Sequence, residues 1–99
     1  IRAAGGKAEA LVCDLSDGCA VDALAEQIGI EVGKVDVLIN NAGRSIRRRA
    51  GEATDRFHDY ERTMALNYFG ATRLTMALLP SMLAARDGHI INIATWGVA

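Results

Sequence analysis

The sequence predicts an α/β fold, an open sheet of parallel strands with helices packed on it. Three observations lead there. Three short apolar runs, at residues 8–15, 35–40 and 89–94, have strand length and lack helical spacing. Two longer segments with helical spacing separate them. Each run ends on polar or small residues (Asp14-Leu15, Asn40 to Gly43, Ala94-Thr95), the edge at which open parallel sheets bind ligands.

Taken in order, IRAAGG reads as the tail of a helix, with Gly5 or Gly6 as its stop. Residues 8–15 (AEALVCDL) predict a short buried strand, followed by Ser16 and Asp17 as helix-cap candidates. Val21, Leu24, Ile28 and Val32 recur at helical spacing, so a helix is predicted over 18–32, closed by Gly33-Lys34. Residues 35–40 (VDVLIN) are apolar on both faces, as in a parallel strand covered by helices on each side.

A polar connection spans 44–56, and a long helix is predicted from Thr54 or Asp59 to Arg86. Met64, Tyr68, Ala71, Thr75, Leu78 and Met82 form its inward stripe, widened by Leu74 and Leu79. Pro80 falls inside it and predicts a kink. Asp87-Gly88 closes the helix and residues 89–94 (HIINIA) predict the third strand. Both crossovers are long enough for right-handed parallel connections.

Composition narrows the function classes. The chain has 99 residues, 51% apolar and 23% charged, as in an ordinary soluble globular domain. A net charge of −1 gives no electrostatic reason to bind nucleic acid. No apolar run reaches membrane-spanning length. The start, at Ile1 in a polar, small-residue stretch, lacks a secretory pattern. Both ends read as cut, so the chain is expected to be an internal piece of a larger domain. Cys13 and Cys19 match no zinc spacing. Cys13 reads as a small buried hydrophobe, and a reduced cytoplasmic setting is the default. His58 and His89 have no companion ligands, so no metal site is predicted.

The run Asn40-Asn41-Ala42-Gly43 admits two readings. It is either a plain strand-to-loop turn, or a strand tip tied down by two amides, with Ala42 and Gly43 leaving room for a ligand beside the backbone. It does not stand alone. NNAG after an aliphatic strand, Asp14 closing the preceding run, ALNYFG with Asn67 three residues before Gly70, and GHIINIAT at 88–95 together resemble the short-chain dehydrogenase/reductase family.

That resemblance implies a Rossmann-type doubly wound parallel sheet, of which this chain would cover about three strands and two to three helices. Residues 1–99 would be the central part of one NAD(P)-binding domain, without the glycine-rich pyrophosphate turn and without Tyr-x-x-x-Lys. Neither Tyr60 nor Tyr68 has a lysine four residues on. The implied cofactor is NADP or NAD, with NADP favoured. Asp14 and Leu15 would receive the adenine, and Asn40, Asn41, Ala42 and Gly43 would line the ribose. Asn67 would hold a water in a proton relay, and its burial would demand a partner. Thr95 stands where the family usually has serine and offers the same donor to a substrate carbonyl. In the family's strand order, 3-2-1-4-5, the strand at 8–15 is separated from that at 35–40 by two strands missing here. The isolated chain should therefore show a gap in its sheet, poor cooperativity and little cofactor affinity.

Arg44, Arg47, Arg48 and Arg49 read either as a solvated loop or as an anion clamp. NNAGRSIRR with TDRFHDYERTMALNYFGATR resembles the fatty acyl-CoA reductase-type branch. There the arginines would suit coenzyme A phosphates, and Trp96 lines the substrate mouth or covers the core edge. The implied substrate is a small-molecule carbonyl or alcohol, or more narrowly an acyl-CoA. The family's counterpart of the long helix packs at a subunit interface, so the resemblance implies a homodimer or homotetramer, and the helix's excess of Met, Leu and Ala allows a second buried face. The rival reading is a non-catalytic nucleotide-binding or sensor domain, and the third is an interaction module of the same shape.

Overall fold

The computed structural model describes residues 5–43, 50–52 and 54–94. Helix α1 (Gly18–Glu31) starts at Asp17, whose carboxylate accepts from the backbone N–H of Cys19 at 3.0 Å and Ala20 at 3.4 Å. These bonds satisfy donors that the first turn leaves open. Ser16, the other cap candidate, turns back to Asp14 instead. The helix stops at Gly33, whose φ of +81° is a left-handed conformation that glycine adopts without a Cβ penalty.

Strands β1 (Val37–Asn40) and β2 (His89–Asn92) pair in parallel, with Val37 opposite His89 and Asn40 opposite Asn92. Both are shorter than the apolar runs that announce them. Val35 and Leu38 pack inward. Val37, Ile39, Ile91 and Ile93 alternate outward and are exposed. The sheet therefore has helices on one face among the described residues, not on both as the sequence predicted.

Residues 8–15 correct a second expectation. They form no strand. Their burial still alternates from Leu11 to Leu15, and Cys13 and Leu15 pack against the core. The burial pattern of a strand is present, but a strand is defined by a ladder with a neighbour, and the sheet of the described residues consists of β1 and β2. Partial burial, reinforced by the charges of Asp14 and Asp17, pushes the Cys13 thiol above its ordinary pKa. That suits its reading as a packing residue.

The long helix is three pieces in succession: α2 (Phe57–Met64), a π turn (Ala65–Gly70) and α3 (Ala71–Ala85). Pro80 does not end α3. Arg86, in the left-handed region at φ 54°, closes it. The π turn displaces the inward stripe. Asp59, Gly70, Leu74, Leu78 and Met82 are the buried positions, whereas Met64 and Tyr68, both predicted inward, are exposed. An i→i+5 turn takes up more residues per revolution than an α-helix. The stripe before it therefore falls on different residues than an unbroken 3.6-residue period gives.

Val21, Leu74 and Leu78 form the core, where α1 and α3 meet the inner face of β1. Arg73 ties the two helices at their rim, with Nε donating to Asp22 Oδ1 at 2.8 Å and Nη2 to Oδ2 at 2.7 Å.

Candidate active site

The turn after residues 8–15 is built around Asp14. Its Oδ1 accepts from the Ser16 hydroxyl at 2.6 Å and the Ser16 N–H at 3.0 Å, and its carbonyl accepts from Asp17 N–H at 3.1 Å. The Ser16 hydroxyl first, and then its N–H, hold the Asp14 carboxyl below the usual carboxylate range. At neutral pH this exposed group is an anion and can only accept hydrogen bonds.

Asn40 closes β1 and is tied on two sides. Its Nδ2 donates to Asn92 Oδ1 on β2 at 2.9 Å and to Thr75 Oγ1 on α3 at 3.1 Å. The first of the two amides thus joins strand to strand and strand to helix. Asn41, Ala42 and Gly43 follow and are exposed.

The π turn brings Asn67 to this strand tip. A methyl group placed on Gly43 would lie 3.5 Å from Asn67 Oδ1. The same turn brings Gly70 against the backbone of Leu15, where a methyl group would overlap the carbonyl oxygen. Asn67 is exposed, not buried as the sequence predicted. It opens onto a cleft of about 320 Å³ lined by Asn40, Ala42, Asn67, Thr75, Asn92 and Ala94, among others.

A larger depression, of about 430 Å³, lies at the other end of α3 around Leu79, Met82, Arg86 and Ile90. It has few polar groups and sits at the amino end of β2. The smaller cleft is the better candidate. It lies at the carboxyl ends of both strands, where open sheets bind ligands, and several amides and a hydroxyl converge on it.

Of the predicted site residues, Asn40, Ala42, Gly43 and Asn67 therefore come together, with Leu15 and Asp14 reached through Gly70. Thr95, Trp96, Arg44, Arg47, Arg48 and Arg49 lie outside the described residues. His58 is half-exposed and sits 3.4 Å from Asp59, which also holds Arg56 at 2.8 Å. His89 opens β2 at its amino end, away from the cleft. Among the described residues no cluster of three or more potential ligands could hold a metal.

Sequence reasoning missed the π turn, Thr75 and Asn92. Thr75 passes as a stripe residue and Asn92 as a strand residue. Nothing local in the sequence marks either one, because their pairing with Asn40 is visible only once β1, β2 and α3 are placed side by side.

The family model described as "short chain dehydrogenase" matches residues 1–97. The chain belongs to the short-chain dehydrogenase family. A fatty acyl-CoA reductase of Mycobacterium tuberculosis is 58% identical over 94 residues, which is 95% of this chain and 32% of that protein. One from Acinetobacter baylyi is 57% identical over 98 residues, or 99% of this chain and 33% of that protein. The chain therefore spans about a third of the length of these relatives. A metagenomic short-chain oxidoreductase solved in complex with NADP superimposes with a TM-score of 0.90 at 38% identity, covering 97% of this chain and 43% of the other. The Rossmann-type fold of these dehydrogenases is thus the fold of this chain.

Proposed function

We propose that the intact protein is an NAD(P)-dependent oxidoreductase that reduces a carbonyl compound, and more narrowly an acyl-CoA thioester or a fatty aldehyde, with NADP(H) as the favoured cofactor. The observation that carries this reading is the meeting of Asn67 with Gly43 at the carboxyl ends of β1 and β2. The identity of 58% to a fatty acyl-CoA reductase supports the narrower substrate class. The NADP complex of the superimposable oxidoreductase supports the cofactor.

The residues present suit the adenosine half of such a cofactor. Asp14 is an ionised acceptor beside Leu15, and Ala42 and Gly43 leave the backbone approachable. The bound nicotinamide would supply the hydride. Asn67 holds a water that relays the proton, and the Thr95 hydroxyl orients the substrate oxygen. Asn41 lines the ribose with its neighbours. Arg44, Arg47 and Arg48 meet the anionic groups of an acyl-CoA, and Trp96 borders the substrate mouth.

In this reading the 99 residues are the central part of one NAD(P)-binding domain of a cytoplasmic enzyme. Among the described residues no helix is long and apolar enough to cross a membrane. Phe57, Tyr60, Met64, Tyr68 and Met76 are all exposed on the long helix. In this reading a second copy in a homodimer or homotetramer covers these side chains.

The test incubates the intact protein with NADPH and palmitoyl-CoA, decanal or short ketones, following NADPH oxidation. Turnover of the thioester or the aldehyde, lost in Asn67→Ala, supports the reading. Turnover of ketones alone removes the acyl-CoA assignment. No turnover with any of them contradicts the enzyme.

A further inference from the structure

The cleft depends on two contacts between β1 and the long helix. At the strand tip Gly43 faces Asn67. Three residues earlier, Asn40 donates to Thr75. Three strand residues span about 10 Å, and the eight residues from Thr75 back to Asn67 span about 12 Å of helix. The helix runs antiparallel to the strand, so the two contacts are stations along one seam. The π turn that carries Asn67 lies between α2 and α3. Such a turn interrupts the α-helical repeat and is frequent at functional sites. An anchor on the α-helical side of the turn therefore bears on where Asn67 stands.

α3 supplies that anchor. Leu74 and Leu78 are buried in the core on either side of Thr75 in sequence. The Thr75 hydroxyl accepts from the amide that also holds β2 through Asn92. We propose that Thr75 is a positioning residue. By accepting the hydrogen bond from Asn40, it fixes how far the Asn67-bearing helix slides along β1, and so sets Asn67 opposite Gly43. The inference rests on the reading of Asn67 as a relay residue. Thr75 also lines the cleft, but the role assigned here runs through Asn40 and helix position, and its effect is on where a proton-handling group stands. A misplacement of 1 Å in an active site costs up to about a hundred-fold in rate.

The experiment compares Thr75→Val and Thr75→Ser in the intact protein. Valine keeps the shape and removes the acceptor; serine keeps the acceptor. With decanal and NADPH, Thr75→Val is expected to lose about ten-fold in kcat, with KM for NADPH changed less than about two-fold. The basic limb of its pH profile shifts, and Thr75→Ser restores both. Wild-type kcat and pH profile in Thr75→Val, or a serine variant no better than valine, overturns the proposal. Amide resonances of Gly43 and Asn67 are recorded for the same variants. They shift in Thr75→Val and return in Thr75→Ser, and unshifted resonances overturn the proposal whether or not the protein reduces decanal. A wild type that reduces no carbonyl compound instead brings down the functional reading, leaving the resonances to decide the geometry. Should the valine variant not fold, Thr75→Ala takes its place with the same required outcomes.

Discussion

Gly70 in the π turn lies directly against the carbonyl of Leu15, so close that a side chain at Gly70 would overlap the oxygen and sit 3.1 Å from the carbonyl carbon. Backbone here meets backbone, and neither side has a flexible end that could move away. A helical glycine normally costs about 1 kcal/mol relative to alanine. At this position the overlap outweighs that gain. Gly70→Ala is expected to destabilise the intact protein by about 1–3 kcal/mol, read from the midpoint of denaturant unfolding. An unchanged or raised midpoint would show that the turn after Asp14 and the long helix do not press together.

Gly43 offers the contrasting case. Its φ is not in the left-handed region, and a methyl group there would make ordinary contact with Asn67 at 3.5 Å. Gly43→Ala should leave stability within about 0.5 kcal/mol of wild type. In the proposed cofactor site the methyl would occupy the space through which a ribose approaches the backbone. Calorimetric titration should therefore show NADPH binding at least about ten-fold weaker. Unchanged affinity with unchanged stability would remove Gly43 from the cofactor site.

The Asp14 carboxyl provides a pH handle. Hydrogen bonds from Ser16 lower its pKa. The ionised acceptor therefore persists through the usual carboxylate range and is lost only as pH falls through the lowered pKa. NADPH affinity in the wild type should hold through the ordinary carboxylate range and fall only below it. Ser16→Ala removes the larger of the two causes, so the fall moves to higher pH. Coincident acid limbs in the two proteins would show that Asp14 does not receive the cofactor.

The sequence revealed much of this arrangement because its signals are local. Asp17, a gap-free run of helical spacing and Gly33 mark α1 to within a residue of its observed end. The NNAG and N-x-x-G motifs name the two elements that meet at the cleft. What stayed hidden depends on neighbours. Residues 8–15 carry strand periodicity, but hydrogen-bonded pairing is a property of two segments; the strand order implied by the family resemblance set two absent strands between them and β1, and the described sheet is β1-β2 alone. The π turn changes the phase of the long helix without any proline or glycine at its start, so an unbroken period placed Met64 and Tyr68 inward. Asn67 sits in an apolar stretch, which suggested burial; its actual exposure follows from the cleft at the strand ends. Thr75 is hidden for the same reason, because only the opposing Asn40 distinguishes it from a packing threonine.

In the proposed cofactor site the Asp14-Leu15 turn, the tip of β1 and the π turn border one nucleotide. The most direct measurement titrates NADPH into isotope-labelled intact protein and follows the backbone amides of Leu15, Gly43 and Asn67. All three are expected to shift along a single binding curve. Shifts confined to the depression around Leu79 and Ile90, or three curves with unrelated midpoints, would contradict it.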